Sequence, residues 1–373
     1  MAKTNFAALT DEQKTAWARD LWRVARNASF INQFAGKGHN AMVQRIDTLT
    51  KSEKGARAVL TLVADLEGDG IAGDRTLEGN EEAMKAFDTV IQIDQLRNAN
   101  RLEGRVADQK TIVNFREQSR DKLGYWMADR LDQMAFLTMS SLPYTKKTNG
   151  ADRDAGNALP LLEFAPAADV APSAGRCMHI TSNGLTSGTG FNAADGVLTS
   201  LTYKDIVNLK AAAKDSYIRG IKGKAGDEVF HLFVTPQGMA DLKLDPDFIA
   251  NVRNAGVRGG SNSLFAGTTS VMVDGVIVHE YRHVFDTRGA AAGSKMGASG
   301  NDNGQRALFC GAQAMGMADL GTPYWDEDYF DYNNQPGIAI GKIFGFLKPQ
   351  FKGNPTSPEA LEDFGVVTVD TAI

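Results

Sequence analysis

The chain has 373 residues, 43% apolar and 23% charged, with a net charge of −5, the composition of an ordinary globular protein with room for two or three domains. No basic block or stripe is present, which argues against binding nucleic acid through phosphate neutralisation, and no run of about 18 apolar residues is present to span a membrane. The N-terminus lacks the apolar stretch of a secretory signal, and Cys177 and Cys310, far apart in sequence, read as free thiols of a reducing compartment, with one disulfide as the alternative.

In chain order, Thr10 to Gln13 has capping-box spacing. Trp17, Leu21, Val24, Ala28 and Ile31 follow at helical intervals, with Trp22 on the flank. A terminal helix so rich in aromatic surface must dock, either on its own core or on a neighbouring subunit. Residues 57–66 and 87–94 alternate as strands. Between them lies an acidic, glycine-rich stretch through Gly68, Asp69, Gly70, Gly73 and Asp74. The pattern predicts a long hairpin with a loose tip, and a lone hairpin is marginal in water without a partner surface. Residues 107–142 contain no proline and predict one uninterrupted helix, roughly 50 Å long. Leu123, Met127, Leu131, Met134 and Leu137 share one of its faces, widened by Ile112, Phe115 and Trp126. Arg116, Glu117, Arg120, Asp121, Asp129 and Asp132 occupy much of the rest.

Residues 144–200 are rich in small and polar residues. Thr202 and Asp205 cap a helix reaching about Arg219. Residues 228–234 (EVFHLFV) form a short buried strand, and Pro236 opens another helix. Asp274-Gly275 marks a hairpin turn within 270–285. The run 306–320 reads as strand then turn, and 338–346 and 365–369 are the closing strands.

Candidate chemistry is sparse. His279-Glu280-Tyr281-Arg282-His283 matches H-E-x-x-H, which binds zinc only when a helix puts both histidines on one face. Here the valine-rich lead-in predicts a strand, on which residues four apart are separated by about 13 Å. Beyond His283 there is no further histidine, and the next glutamate is Glu327. Asp65, Glu67, Asp69 and Gly70 resemble the start of a calcium loop, but its twelfth position is Thr76 where a bidentate glutamate is required. Gly256 to Gly260 is too loose for a nucleotide fingerprint. His39 and His179 are scattered, and His231 reads as a hydrogen-bonded core residue. No catalytic, metal or cofactor site is assembled. A docking arm, an extended hairpin and a long helix without a site describe a building block.

Several blocks carry a resemblance. They are Trp17-Ala18-Arg19-Asp20-Leu21, the stretch Asp65-Leu66-Glu67-Gly68-Asp69-Gly70 to Gly73-Asp74, and Leu77-Glu78-Gly79-Asn80-Glu81-Glu82. Ile91-Gln92-Ile93-Asp94-Gln95-Leu96-Arg97 and the terminal Glu362 to Ala372 complete the set. In this order they resemble the major capsid proteins of N-four-type tailed bacteriophages. The resemblance implies an α+β, Hong Kong 97-type capsid fold. Its parts would be an N-terminal arm (1–50), an extended loop (51–95), a peripheral domain (96–149 and 336–373, with spine helix 107–142) and an axial domain (150–335). It implies a structural protein, not an enzyme, that assembles as hexamers and pentamers into an icosahedral head around double-stranded DNA touched non-specifically. No cofactor is implied. With about 50 residues before the hairpin, a separate scaffolding protein is expected, along with portal and decoration partners. Assembly would occur in the bacterial cytoplasm. Trp17, Leu21 and Trp22 of the arm and Ile71, Leu77 and Glu78 of the loop are the expected inter-subunit contacts. The rival readings are a zinc hydrolase through His279, Glu280 and His283, and a different shell or decoration protein.

Overall fold

The computed structural model describes residues 11–46, 57–63, 68–84, 86–110, 114–153, 170–191, 193–223, 226–255, 270–352 and 361–373. The chain is α+β, with two mixed sheets of six and eight strands and helices packed against them.

The six-stranded sheet is organised by Gln335–Leu347, whose near-continuous apolar run suits a strand covered on both faces. Its first part pairs with Tyr324–Phe330 on one side and Asp94–Arg101 on the other, and its far end pairs with Met315–Asp319. Val43–Ile46 and Ala35–Gly36 complete the sheet. Helix α1 (Asp11–Ala28) lies against this sheet, and so does the longest helix of the chain.

That helix is shorter than the sequence pattern predicts. A short helix α2 spans Arg105–Lys110, and the long helix α3 is Phe115–Met139, about 38 Å at 1.5 Å per residue. Asn114, predicted to lie inside the helix, is its N-cap. Its backbone is extended and its side chain accepts from the amide of Arg116, supplying one of the amides a helix start leaves orphaned. Residues 111–113, Ile112 among them, lie outside the described residues. The C-terminus stops at Met139 because Ser141 turns left-handed (φ 59°). The amides of Leu142 and Ser141 then bond back to the carbonyls of Leu137 and Thr138, closing a Schellman motif. The predicted apolar face is buried at Leu123, Met127, Leu131, Met134 and Leu137. Asp132, placed by its charge on the polar side, is also buried.

The eight-stranded sheet runs in the order Ser270–Val273, Val276–Glu280, Glu228–Val234, Gly304–Cys310, Val366–Ala372, Cys177–Thr181 and Gly184–Ser187, with Ile221–Lys222 paired on Glu228–Val234. The apolar strand 228–234 is central, as its composition requires. Asp274 and Gly275 both adopt positive φ and form the expected tight hairpin turn. Helix α4 (Tyr203–Asp215) is capped by Asp205, whose carboxylate accepts from the Thr202 amide and hydroxyl. It ends before Arg219, at a left-handed Tyr217. Helices α5 (Pro236–Leu244) and α6 (Pro246–Ala255) follow, with Thr235 capping α5 through the amide of Gly238.

The closing strands part company. Gln335–Leu347 is in the six-stranded sheet, whereas Val366–Ala372 crosses to the eight-stranded one, between Gly304–Cys310 and Cys177–Thr181. The strand Cys177–Thr181 is one the sequence pattern misses. Both cysteines are buried free thiols, and burial pushes both up from the ordinary thiol range.

Candidate assembly surfaces

The hairpin forms as predicted from Arg57–Val63 and Ala86–Gln92, in antiparallel register with Val59 opposite Val90 and Leu60 opposite Thr89. One face of its base is fixed to the six-stranded sheet. Ala58, Leu60 and Ile91 bury against Ile46, Ala318 and Leu347. Two glycines permit this seating. A Cβ on Gly345 would lie 2.0 Å from the Gln92 carbonyl oxygen, and one on Gly316 would lie 3.0 Å from Ile91. The other face is unfilled, with Val59 50% and Val90 42% exposed as a cross-strand pair.

The connecting segment 68–84 has no regular secondary structure. Gly70, Gly73 and Gly79 all take positive φ, which glycine adopts without a Cβ clash. The Gly68 amide donates to Glu82, and the Asn80 amide to the Leu77 carbonyl, so its turns are closed locally. Leu77 and Met84 stand in solvent at 62% and 76% exposure, Glu78 is exposed and Ile71 half-buried. Asp65 and Glu67 of the calcium-loop pattern lie outside the described residues, as do Gly256 to Gly260.

The arm residues face inward. Leu21 and Trp22 are buried in the subunit's own core. Gly124 on α3 lets α1 approach closely, since a Cβ there would sit 3.2 Å from Val24. The Trp22 ring carries the Lys342 ammonium 3.7 Å from its centroid. Trp17, half-buried, stacks on Trp325 at 5.7 Å and is flanked by the guanidinium groups of Arg116 and Arg120. Of the two docking choices open to this helix, the subunit's own core takes the apolar face.

The H-E-x-x-H segment is part strand and part turn, and its histidines serve different neighbours. His279, next to last in the strand Val276–Glu280, shares a 2.9 Å hydrogen bond with His231 on the parallel strand beside it. Both rings sit among Phe34 and Phe233. Burial lowers both imidazoles to about 4, His279 also through its neighbour His231. His283 instead bonds Asp129 of α3 at 2.7 Å, where Arg282 also donates. Desolvation opposes ionisation of Asp129, but the hydrogen bond from His283 and the nearby cations hold its carboxyl below the ordinary range. Between the two histidines, Tyr281 donates to Asp132. Burial, with that carboxylate beside it, pushes the Tyr281 hydroxyl far up, so it stays protonated and donating. The motif is therefore a set of struts between sheet and helix. Among the described residues, no three metal-ligating side chains converge.

Comparison with known proteins agrees with this architecture. Residues 5–373 match the family model for phage capsid protein. The chain is 54% identical over 373 residues to a major capsid protein of Pseudomonas phage KPP25, covering 99% of this chain and 97% of that one. Among solved structures it is similar to the capsid of Ralstonia phage GP4 (TM-score 0.68, 23% identity, 92% of this chain and 90% of that chain). It is similar also to the capsid of cyanophage Pam1 (TM-score 0.68, 17% identity, 100% and 96%). The shared fold is the Hong Kong 97-type capsid fold.

Proposed function

The chain belongs to the phage capsid protein family, and from that premise we infer how it works as the major capsid protein of a tailed bacteriophage. The observation that carries the reading is the match along nearly the whole chain to a major capsid protein. The role is structural, not enzymatic, and its place is the virion.

In this reading the subunits assemble as hexamers and pentamers into an icosahedral head around double-stranded DNA. Residues 1–50 serve as the arm and 51–95 as the extended loop. The peripheral domain is residues 96–149 and 336–373, which hold α3 and nearly all of the strand Gln335–Leu347, and the axial domain is residues 150–335, which hold α4 to α6. The exposed Val59–Val90 face and the segment bearing Ile71, Leu77 and Glu78 lie over a neighbouring subunit. This supplies the partner that a lone hairpin lacks, and many modest contacts add up in a closed shell. A separate scaffolding protein, a portal and decoration proteins complete the partner set, with assembly in the bacterial cytoplasm. A net charge of −5 with no basic block in the sequence fits loose, sequence-independent contact with packaged DNA.

Deleting Gly68 to Asp74 tests the loop's role. The deleted segment is exposed apart from half-buried Ile71, so a soluble subunit that fails to close normal shells is expected. Normal heads from that deletion would refute the role assigned to the loop.

A further inference from the structure

Where α3 meets the turn after the strand Val276–Glu280, cations outnumber the groups that balance them. Asp129 of α3 accepts from Arg282 at 2.6 Å and from His283 at 2.7 Å on one oxygen, and from Gln133 Nε2 at 2.8 Å on the other. One turn further along α3, the Gln133 carbonyl oxygen accepts from two guanidinium groups at once, Arg130 Nη1 at 2.6 Å and Arg153 Nη2 at 3.1 Å. Arg153 also donates through Nε to the Tyr144 carbonyl at 2.8 Å, and the residue is only 7% exposed.

Neither acceptor of Arg153 carries a charge. Among the described residues, neither Arg130 nor Arg153 pairs with a carboxylate. The other carboxylates on these three segments are engaged elsewhere. Asp132 holds Ser29, Phe30, Ile31 and Tyr281, Asp152 holds Lys146, and Asp286 holds Arg288. Three guanidinium groups therefore share one carboxylate, and two of them meet across a neutral amide oxygen. A buried cation without a counter-charge is costly, and a like charge beside it adds to the cost. Burial and the neighbouring Arg130 accordingly pull the Arg153 guanidinium down from its ordinary range. Holding the Tyr144 carbonyl and the Gln133 amide requires donors, not charge. What the two guanidinium groups add is positive potential, and the place is open to solvent, since Arg130 and Gln133 are half-buried and Arg282 is exposed.

We propose that Arg130 and Arg153 hold a phosphate-class oxyanion against α3, with Arg282 at the open side. Nε and Nη2 of Arg130 and Nη1 of Arg153 make no hydrogen bond among the described residues and are the donors available to it. Planar guanidinium forks match pairs of phosphate oxygens. Two uncompensated cations call for a phosphate in preference to a single carboxylate. Free phosphate and the backbone phosphates of duplex DNA offer the same chemistry. Only the second source rests on the shell-forming reading.

Both sources are tested on dissociated full-length subunits, so neither arm needs shells to form. In the first arm, sodium phosphate replaces sodium chloride at constant ionic strength, and Tm is followed for wild type, Arg130→Gln and Arg97→Gln. Arg97 is an exposed cation of the strand Asp94–Arg101 and controls for general salt effects. Arg282→Gln, at an exposed side chain, gives a second reading in the same direction as Arg130→Gln. In the second arm, anisotropy of a labelled short DNA duplex of mixed sequence reads binding, with inorganic phosphate as competitor. The proposal predicts a saturable rise in Tm for wild type and Arg97→Gln, and phosphate affinity about tenfold weaker in Arg130→Gln. Duplex binding that phosphate displaces and Arg130→Gln weakens identifies the DNA backbone as the source. A saturable phosphate response without duplex binding identifies free phosphate. A rise that does not saturate, or that is the same in every protein, is a general salt effect and overturns the inference. So does the absence of any response to both probes.

Discussion

Tyr281 donates its hydroxyl hydrogen to Asp132 across 149 residues of sequence. The same buried carboxylate accepts from Ser29 Oγ at 2.7 Å and from the amides of Phe30 and Ile31 at 2.8 and 3.1 Å. One side chain of α3 thus fixes both the turn that ends α1 and the loop that leaves the eight-stranded sheet. Asp132→Ala orphans four donors at once, and the subunit is expected to lose on the order of 3 kcal/mol. Tyr281→Phe removes one donor and is expected to lose about 1 kcal/mol. Urea unfolding of dissociated subunits reads both, and equal losses would contradict the hub assigned to Asp132.

Acidification should weaken the subunit through the His231–His279 pair. Both folded values, about 4, lie below the ordinary 6.5, so the unfolded chain binds more protons between those limits. Stability from these groups is full above about pH 6.5 and is lost as pH falls toward 4. The urea midpoint is expected to drop across that window. The difference between wild type and His279→Gln should narrow on the way down, and a constant difference would exclude the pair as the cause.

The buried pair Lys342–Asp319 separates breaking an ion pair from replacing it. Both side chains are 1% exposed, and the ammonium also reaches the Gly321 carbonyl at 2.6 Å. Lys342→Met leaves the Asp319 carboxylate with the Gly321 amide at 3.0 Å and the Arg45 guanidinium at 3.7 Å, and is expected to cost about 3 kcal/mol. Lys342→Met/Asp319→Leu should regain most of that loss in the same unfolding measurement. A double variant as weak as the single would mean that the charges themselves hold this region.

Val90→Asp separates folding from assembly. The side chain stands beside Val59 on the unfilled face of the hairpin, so subunit stability should move by no more than about 0.5 kcal/mol. Shells should be lost, as sedimentation of the assembly products would show. Wild-type yields of shells would remove this face from the interface.

Much of this architecture is written in local pattern. The alternation in 57–63 and 86–92, the apolar run 228–234, Asp274-Gly275, and the face from Leu123 to Leu137 each follow from residues near one another. What was hidden depends on distant partners. Asn114 is the local exception: it caps a helix instead of continuing it because its side chain accepts from the Arg116 amide two residues on. Asp132 is buried because Ser29 to Ile31 and Tyr281 converge on it. His231 and His279 meet only because their strands lie side by side in parallel. The spacing of Trp17, Leu21 and Trp22 shows a docking helix but not what it docks on, and Leu21 and Trp22 proved to belong to the subunit's core. The turn at Tyr332, between Tyr324–Phe330 and Gln335–Leu347, carries no periodic signal, since its conformation is imposed by Glu103 and Arg105 from another strand's end.

Electron microscopy of the chain expressed with and without the rest of its structural operon tests the central claim most directly. The account predicts round shells with hexameric capsomers when the operon is present. A monodisperse monomer or small oligomer under both conditions would contradict it.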